Sequence, residues 1–459
     1  MRVTVVSIIF GLIASGCRPS SAPEHITPVP EVAATDAFAV LAKADQIAAR
    51  DLWPGFDPRT IPVAIYDGER TLLFRHPSPP EGFQPVPGRD AVYAYTGRYP
   101  SVTANSSAEL GGVQTATLMP PTSVGSLRAF AGILIHEAFH VYQREHHPGW
   151  TANEVELFTY PVDDPELLAL RRSETEALRR AIALRDADRA ACWTRTALEL
   201  RRKRFGALPS GSAAYERYTE LNEGLATYVE RRATGEPDST VLGMEEFAPE
   251  AIRLRAYRSG VAIARLLDRF SPAWRTALEQ SDSLPLDIML SAALATPASG
   301  APGCALLATD LKRIQAASAM DIGTLRARRI ESKRAFLEQP GWNLVIVAAG
   351  APLFPQGFDP LNLQSVSGGE VLHTRFVKVG NDSGAIEVLG RAALTEAAGV
   401  HPLFNGVRTL TVTGLAGEPV ITDANGVVTV AAEGVTAELR GSTVERTGQT
   451  VTVRMPSRR

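Results

Sequence analysis

Between positions 126 and 147 the apolar residues Leu127, Phe130, Ala131, Leu134, Ala138 and Tyr142 recur at three- and four-residue spacing. That period predicts one buried helix, with Thr122 and Ser123 offered as caps and Pro148-Gly149 as the stop. Upstream, Asp36 can cap a helix reaching about Arg50, with Phe38, Leu41 and Ala44 on its apolar side. Residues 62–66 and 71–74 read as two strands turning about Asp67-Gly68, and 91–96 as a third. Residues 111–119 alternate apolar and polar positions, as a half-exposed strand does. Residues 164–204 read as a long arginine-rich helix, its arginines forming a solvated face. Helical patterning resumes around 221–230, again from Tyr257 through Val261, Leu266, Leu267 and Phe270, and continues to about Glu338, with a Pro/Gly/Ala/Ser loop at 296–303.

From Gly341 the period changes. The runs 342–348, 371–379, 385–389, 407–413, 427–431, 435–439 and 450–454 are short and rich in Val and Thr, with glycine-containing turns such as Asn425-Gly426. This predicts a separate antiparallel β-domain, a sandwich or partial barrel, over 341–459. The expected class is therefore α+β. Residues 36–120 form an N-terminal α/β part with a small sheet, and 121–338 a mostly helical part. His373 and His401 fall in the β-domain, where isolated histidines are usually structural.

The first residues change the picture. Arg2 precedes an apolar run over 3–13, too short to span a bilayer, and then Ala14-Ser15-Gly16-Cys17. The segment resembles a bacterial lipoprotein signal peptide over 1–16, with cleavage before Cys17 and lipid on its thiol. An ordinary secretory signal cut near Gly16 is the alternative. Residues 17–35 are rich in Pro and Ser and read as a tether. Either reading exports the protein. The lipid anchor would hold it to a membrane, on the periplasmic side of the outer membrane. In an oxidising compartment Cys192 and Cys304 either form one disulfide or remain two buried thiols. The chain has 459 residues, 45% of them hydrophobic, which suits an ordinary globular protein of more than one domain. Its net charge of −3 predicts no nucleic-acid partner.

The candidate chemistry lies on the first helix. His136-Glu137-Ala138-Phe139-His140 is an H-E-x-x-H sequence. Positions i and i+4 share a helical face, so both imidazoles can reach one point, and that donor pair suits tetrahedral Zn2+. Glu137 sits one step round the helix, where a carboxylate can take a proton from water at the metal. A satisfied pair of core histidines is the other reading. The second stretch is Asn222-Glu223-Gly224-Leu225-Ala226. A carboxylate there could complete a His-His-Glu site, although Glu223 by itself is one helical glutamate among many.

Taken together, His136–His140, Asn222-Glu223-Gly224-Leu225-Ala226 and Tyr257-Arg258-Ser259-Gly260-Val261-Ala262 resemble the gluzincin (peptidase MA-like) zinc metallopeptidases. The likeness is to the aminopeptidase N branch, whose N-E-G-x-A carries the zinc-binding Glu and whose Y-x-x-G-x-A carries an intermediate-stabilising Tyr. The resemblance spans about a third of the chain. It implies a zincin-like catalytic domain, zinc ligands His136, His140 and Glu223, general base Glu137, and oxyanion donor Tyr257. In H-E-x-x-H peptidases an edge strand before the zinc helix holds the substrate backbone, which implies that role for Gly112, Val113, Gln114 and Thr115. The branch's G-x-M-E-N has no counterpart, since Gly111–Thr115 carries no acid. The implied function is a zinc metallopeptidase of the bacterial cell envelope, acting on a peptide or protein substrate. The alternatives are another zinc-dependent amide or ester hydrolase, and a non-enzymatic envelope-anchored binding or assembly protein on a peptidase fold.

Overall fold

The computed structural model describes residues 36–48, 51–119, 125–243, 247–281, 284–294, 304–359, 362–399 and 401–457. The signal peptide, Cys17, the tether, the offered caps Thr122 and Ser123, and the loop at 296–303 lie outside the described residues. Among the described residues no helix is long and apolar enough to cross a membrane.

The chain is mixed helix and sheet. Asp36 caps α1 (Ala37–Ile47), its carboxylate accepting from the Phe38 and Ala39 amides. Next come β1 (Val63–Tyr66), β2 (Arg70–Phe74), β3 (Gln84–Pro85), β4 (Val92–Thr96), β5 (Ser106–Leu110) and β6 (Val113–Leu118). They form one sheet in the order β3-β4-β2-β1-β6-β5. The predicted β1–β2 hairpin is present, and Asp67 Oδ1 closes its turn by accepting from Glu69 N at 3.0 Å and Arg70 N at 2.9 Å. The sheet exceeds the expectation by β3 and β5. Gly111 and Gly112, read from sequence as the start of a strand, have φ of 56° and 80° and form the turn of the β5–β6 hairpin. Two positive φ in succession suit glycine, which has no Cβ to clash.

Ser126 caps α2 (Leu127–His146), with Oγ accepting from Ala129 N at 3.2 Å. This helix and α1 cover one face of the sheet, burying Val63, Ile65, Leu72, Phe74, Ala116 and Leu118 against Leu134, Ile135 and Ala138. The alternate residues Ala64, Leu73 and Leu110 point to the other face, beneath half-buried tyrosines.

The expected single helix over 164–204 is two. α3 (Pro165–Ala183) and α4 (Ala187–Ala207) form a hairpin broken where Leu184 turns extended and Asp186 caps the second helix. Arg189 and Arg202 keep the expected exposure, but four other arginines of the hairpin do not. Arg171, Arg172, Arg201 and Arg204 are buried: Arg201 and Arg204 turn inward onto Glu174, Arg171 donates to the Ala248 and Pro249 carbonyls, and Arg172 pairs with Asp321. α5 (Ser210–Thr219) runs through a π-helical turn, Glu220–Gly224, into α6 (Leu225–Thr234). α7 (Ile252–Phe270) crosses that turn so closely that a Cβ on Gly224 would lie 2.9 Å from Gly260 Cα. α8 (Trp274–Glu279), α9 (Leu286–Ala293) and α10 (Ala308–Leu337) follow. Cys192 and Cys304 are disulfide-bonded, tying α4 to the segment that enters α10.

The remaining strands are β7 (Trp342–Ala348), β8 (Phe354–Phe358), β9 (Leu363–Ser367), β10 (Glu370–His373), β11 (Phe376–Asn381), β12 (Gly384–Leu389), β13 (Ala393–Ala397), β14 (Val407–Leu415), β15 (Val420–Ala424), β16 (Val427–Ala432), β17 (Val435–Arg440), β18 (Thr443–Thr447) and β19 (Thr450–Met455). They make two sheets, β18-β19-β7-β14-β13-β10-β9 and β15-β16-β17-β12-β11-β8, over one shared core that includes Leu344, Val377, Ile386, Val412 and Val453. Pairing is antiparallel except for the parallel pair β7–β19. The run at 371–379 is two strands in different sheets, separated at Thr374-Arg375. His401 Nε2 meets the Val155 carbonyl at 3.2 Å, and Phe158 packs edge-on against Phe358 and Phe404, so these sheets abut the helical part.

Candidate metal centre

α2 places His136 and His140 one turn apart, and their Nε2 atoms face each other at 3.1 Å. Glu223 Oε2 lies 3.2 Å from His140 Nε2 and 3.5 Å from His136 Nε2. The three side chains form the metal-capable group found among the described residues. A tetrahedral zinc with bonds of about 2.0–2.1 Å holds its ligand atoms about 3.3–3.4 Å apart, so the triangle has the size such an ion requires.

Proton accounting sharpens the point. Gln143 Nε2 donates to the carbonyls of Leu221 at 3.0 Å and Asn222 at 2.9 Å, which uses both amide hydrogens and fixes the amide's orientation. Its Oε1 is therefore the atom 2.8 Å from His140 Nδ1, and that nitrogen must carry the proton. His136 Nδ1 likewise faces the Glu230 carboxylate at 3.1 Å and donates to it. Both Nε2 atoms are then bare lone pairs, aimed at each other and at a carboxylate. Three acceptors converge with no donor between them, an arrangement that calls for a cation or for extra protons. The titration tendencies agree. Burial would lower the His136 pKa, but Glu223 and Glu230 outweigh it and push it up to about 10. Burial would raise Glu223, yet His136, His140 and Arg253 hold its carboxyl well below the usual range.

Glu223 reaches this point from the π-helical turn. One extra residue in the turn re-aims the side chains relative to α5. The turn is pinned on several sides. Glu220, fully buried, accepts from Arg201 Nη1 at 2.7 Å and from the Ser259 hydroxyl. Gln143 takes two of its carbonyls, and Arg253 Nη2 binds the other Glu223 oxygen, Oε1, at 2.6 Å.

The triad opens onto a cavity of about 520 Å³, lined also by Glu137 and Tyr257. Burial, reinforced by Glu223 and Glu230, raises the Glu137 pKa against the pull of both histidines. Burial and the Glu223 charge raise the Tyr257 hydroxyl, which stays protonated. The Tyr257 ring stacks near-parallel to His136, with centroids 6.3 Å apart. The structure thus gathers His136, Glu137, His140, Glu223 and Tyr257 around one space.

The proposed substrate strand is corrected. Gly112 is in a turn, and Val113, Gln114 and Thr115 belong to β6, which is covered by β5 and is not an edge. β5 is the edge, and Asn105, Ser106 and Ser107 line the cavity instead. The hairpin was missed because Ser106–Leu110 carries little strand signal. Sequence reading also missed Gln143, Arg253 and the part played by Glu230. Helical spacing offered a hint, since Gln143 is three residues after His140 and Glu230 seven after Glu223. His373 and His401 form no second centre: His373 Nε2 meets Thr395 Oγ1 at 3.0 Å, and His401 faces Val155.

Two imidazoles and a carboxylate beside a buried glutamate define a candidate metal-binding protein. No known family, curated protein or solved structure matches the chain.

Proposed function

We propose that the protein is a zinc-dependent metallopeptidase of the gluzincin kind, exported to the bacterial cell envelope and held there by lipid on Cys17. The observation that carries this is the convergence of three bare acceptors, His136 Nε2, His140 Nε2 and Glu223 Oε2, beside Glu137 in an open cavity. On this reading β1 to β6, α2 and α6–α7 form a zincin-like catalytic unit.

Zinc bound by these three residues supplies a Lewis acid that polarises a carbonyl and lowers the pKa of water to about 7. Glu137 takes the proton from the attacking water at its carboxylate and returns it to the leaving amine. Tyr257, protonated, donates its hydroxyl hydrogen to the developing oxyanion. Glu230 and Gln143 hold the two imidazoles in the tautomer that leaves Nε2 free. β5, as the sheet edge beside the cavity, can pair with an extended peptide backbone.

Glu137→Gln separates catalysis from binding. The variant should keep about one zinc per chain and its melting temperature, while hydrolysis falls by about 10²–10⁴-fold. A Gln variant that cleaves peptides at the wild-type rate, or wild-type protein that takes up no zinc when supplied with it, would overturn the reading.

A further inference from the structure

The wall of the cavity also points to the kind of peptide it would take, an inference that rests on the peptidase reading. Among the described residues no aliphatic chain of Val, Leu, Ile or Met lines it; Asn105, Ser106, Ser107 and Thr151 do, with prolyl and indole surface from Pro148 and Trp150. Among the described residues its charged lining includes Glu137, Glu223 and two arginines, Arg144 and Arg253.

The two arginines are not equivalent. Arg253 is committed, with one Nη on Glu223 and the other on Glu154. Arg144 is exposed, and its Nη1 donates to Gln114 Oε1, a neutral amide. Among the described residues it has no carboxylate partner. A guanidinium has five N–H donors in a planar fork, so most of this one remains available for a carboxylate. Its place along the helix matters too. His136, His140 and Arg144 follow at four-residue intervals on one face of α2. A rise of about 1.5 Å per residue sets Arg144 about 6 Å beyond His140, the length of about two residues of extended peptide. Gln114, in β6, steadies the guanidinium beside the β5 edge, where such a peptide would run.

We propose that the site selects peptides bearing a carboxylate one or two residues from the cleaved bond, with Arg144 as the group that recognises it. The contact is made before and during the reaction alike, so it acts mainly on KM.

The test uses zinc-loaded full-length protein and fluorescence-quenched decapeptides in which one Glu is walked along an otherwise neutral sequence, each matched by its Gln counterpart. At one or two adjacent positions Glu should be preferred by about tenfold in kcat/KM, the scale of a charge-assisted hydrogen bond discounted for exposure. The preference should shrink as salt rises. In Arg144→Gln the Glu-to-Gln ratio should collapse to about one, and in Arg144→Glu it should invert toward Lys-bearing peptides. Equal cleavage of Glu and Gln peptides, or a preference that survives Arg144→Gln, overturns the proposal. Anisotropy of the same peptides, fluorescein-labelled, on the Glu137→Gln protein separates the two claims. Arg144-dependent binding of acidic peptides that wild type never cleaves would sink the peptidase reading and leave the recognition standing. No binding of any peptide would sink both.

Discussion

Gln143 touches both segments of the candidate metal centre, and replacing it with leucine tests how that centre is held. The wild-type amide accepts from His140 Nδ1–H and donates to the carbonyls of Leu221 and Asn222, so Gln143→Leu removes three hydrogen bonds at nearly constant volume. The Leu221 carbonyl lies out of reach of solvent, and an orphaned buried acceptor costs about 1–3 kcal/mol. The other two groups border the cavity, where water can replace the amide, and lose about 0.5–1.5 kcal/mol each. The metal-free protein should therefore lose about 2–6 kcal/mol, read from urea unfolding. Zinc binding should weaken separately by about 10–100-fold, the usual effect of removing a partner that orients a ligand imidazole. Competition against a chromophoric chelator measures it. Gln143→Glu divides the two effects. It keeps an acceptor for His140 Nδ1–H but places a carboxylate oxygen against two carbonyls, so it should recover zinc affinity better than it recovers stability. A leucine variant that binds zinc within twofold of wild type would refute the claim that Gln143 sets the tautomer of His140.

The remaining expectations concern the oxyanion donor, the anchor and the buried charges. Tyr257→Phe should retain zinc and lower kcat by about 10²–10³-fold, the cost of one oxyanion donor; an undiminished kcat would assign the hydroxyl a structural role. Cys17→Ala should move the protein from the membrane fraction to the soluble fraction, and a wild type already soluble would favour the plain secretory signal. Glu174→Gln should cost about 3–5 kcal/mol, because Arg201, Arg204 and Arg255 would lose a shared buried counter-charge. Burial would raise the Glu174 pKa, but those arginines hold it far below the ordinary 4.5. Its contribution is thus complete above the unfolded-state pKa and is lost as pH falls below about 4.5, so acid unfolding should flatten in the Gln variant over that range. An unchanged acid-unfolding curve would show that the carboxylate is not a net stabiliser.

What sequence could and could not convey divides along physical lines. α2 was legible because period, stop and the i, i+4 histidines all lie within one continuous segment, although its cap is Ser126 rather than the Thr122 or Ser123 offered. The β1–β2 hairpin was legible because Asp67-Gly68 is a local turn. Glu223 came from resemblance, since nothing local distinguishes it from other helical glutamates, and its π-helical turn depends on contacts made by Arg201, Ser259 and Gln143 from distant segments. Arg171, Arg172, Arg201 and Arg204 were misjudged for a related reason. Helical spacing gives the face a residue lies on, not whether that face meets water or Glu174. Likewise Gly111-Gly112 looked like the start of a strand, because only pairing with Ser106–Leu110 reveals a turn.

The long segment between His140 and Glu223 has a physical use within the fold. Arg201 on α4 bridges Glu174 on α3 at 2.9 Å and Glu220 in the π-helical turn at 2.7 Å. Arg255 on α7 reaches Glu174 at 2.7 Å and Glu216 on α5 at 3.2 Å. One buried charge cluster thus joins the α3–α4 hairpin to the elements that carry Glu223 and Tyr257. Desolvation offsets much of what such ion pairs contribute to stability, so an apolar interface would hold these helices together as well. What apolar packing does not enforce is a single register. Each guanidinium donates to its carboxylates in one planar geometry, and a slip of one residue would leave buried charge uncompensated. Glu223 lies three residues after Glu220, less than one turn, so fixing Glu220 fixes the carboxylate that faces the histidines. On this view the cluster sets the metal triangle, and disturbing it should degrade zinc affinity before it unfolds the chain.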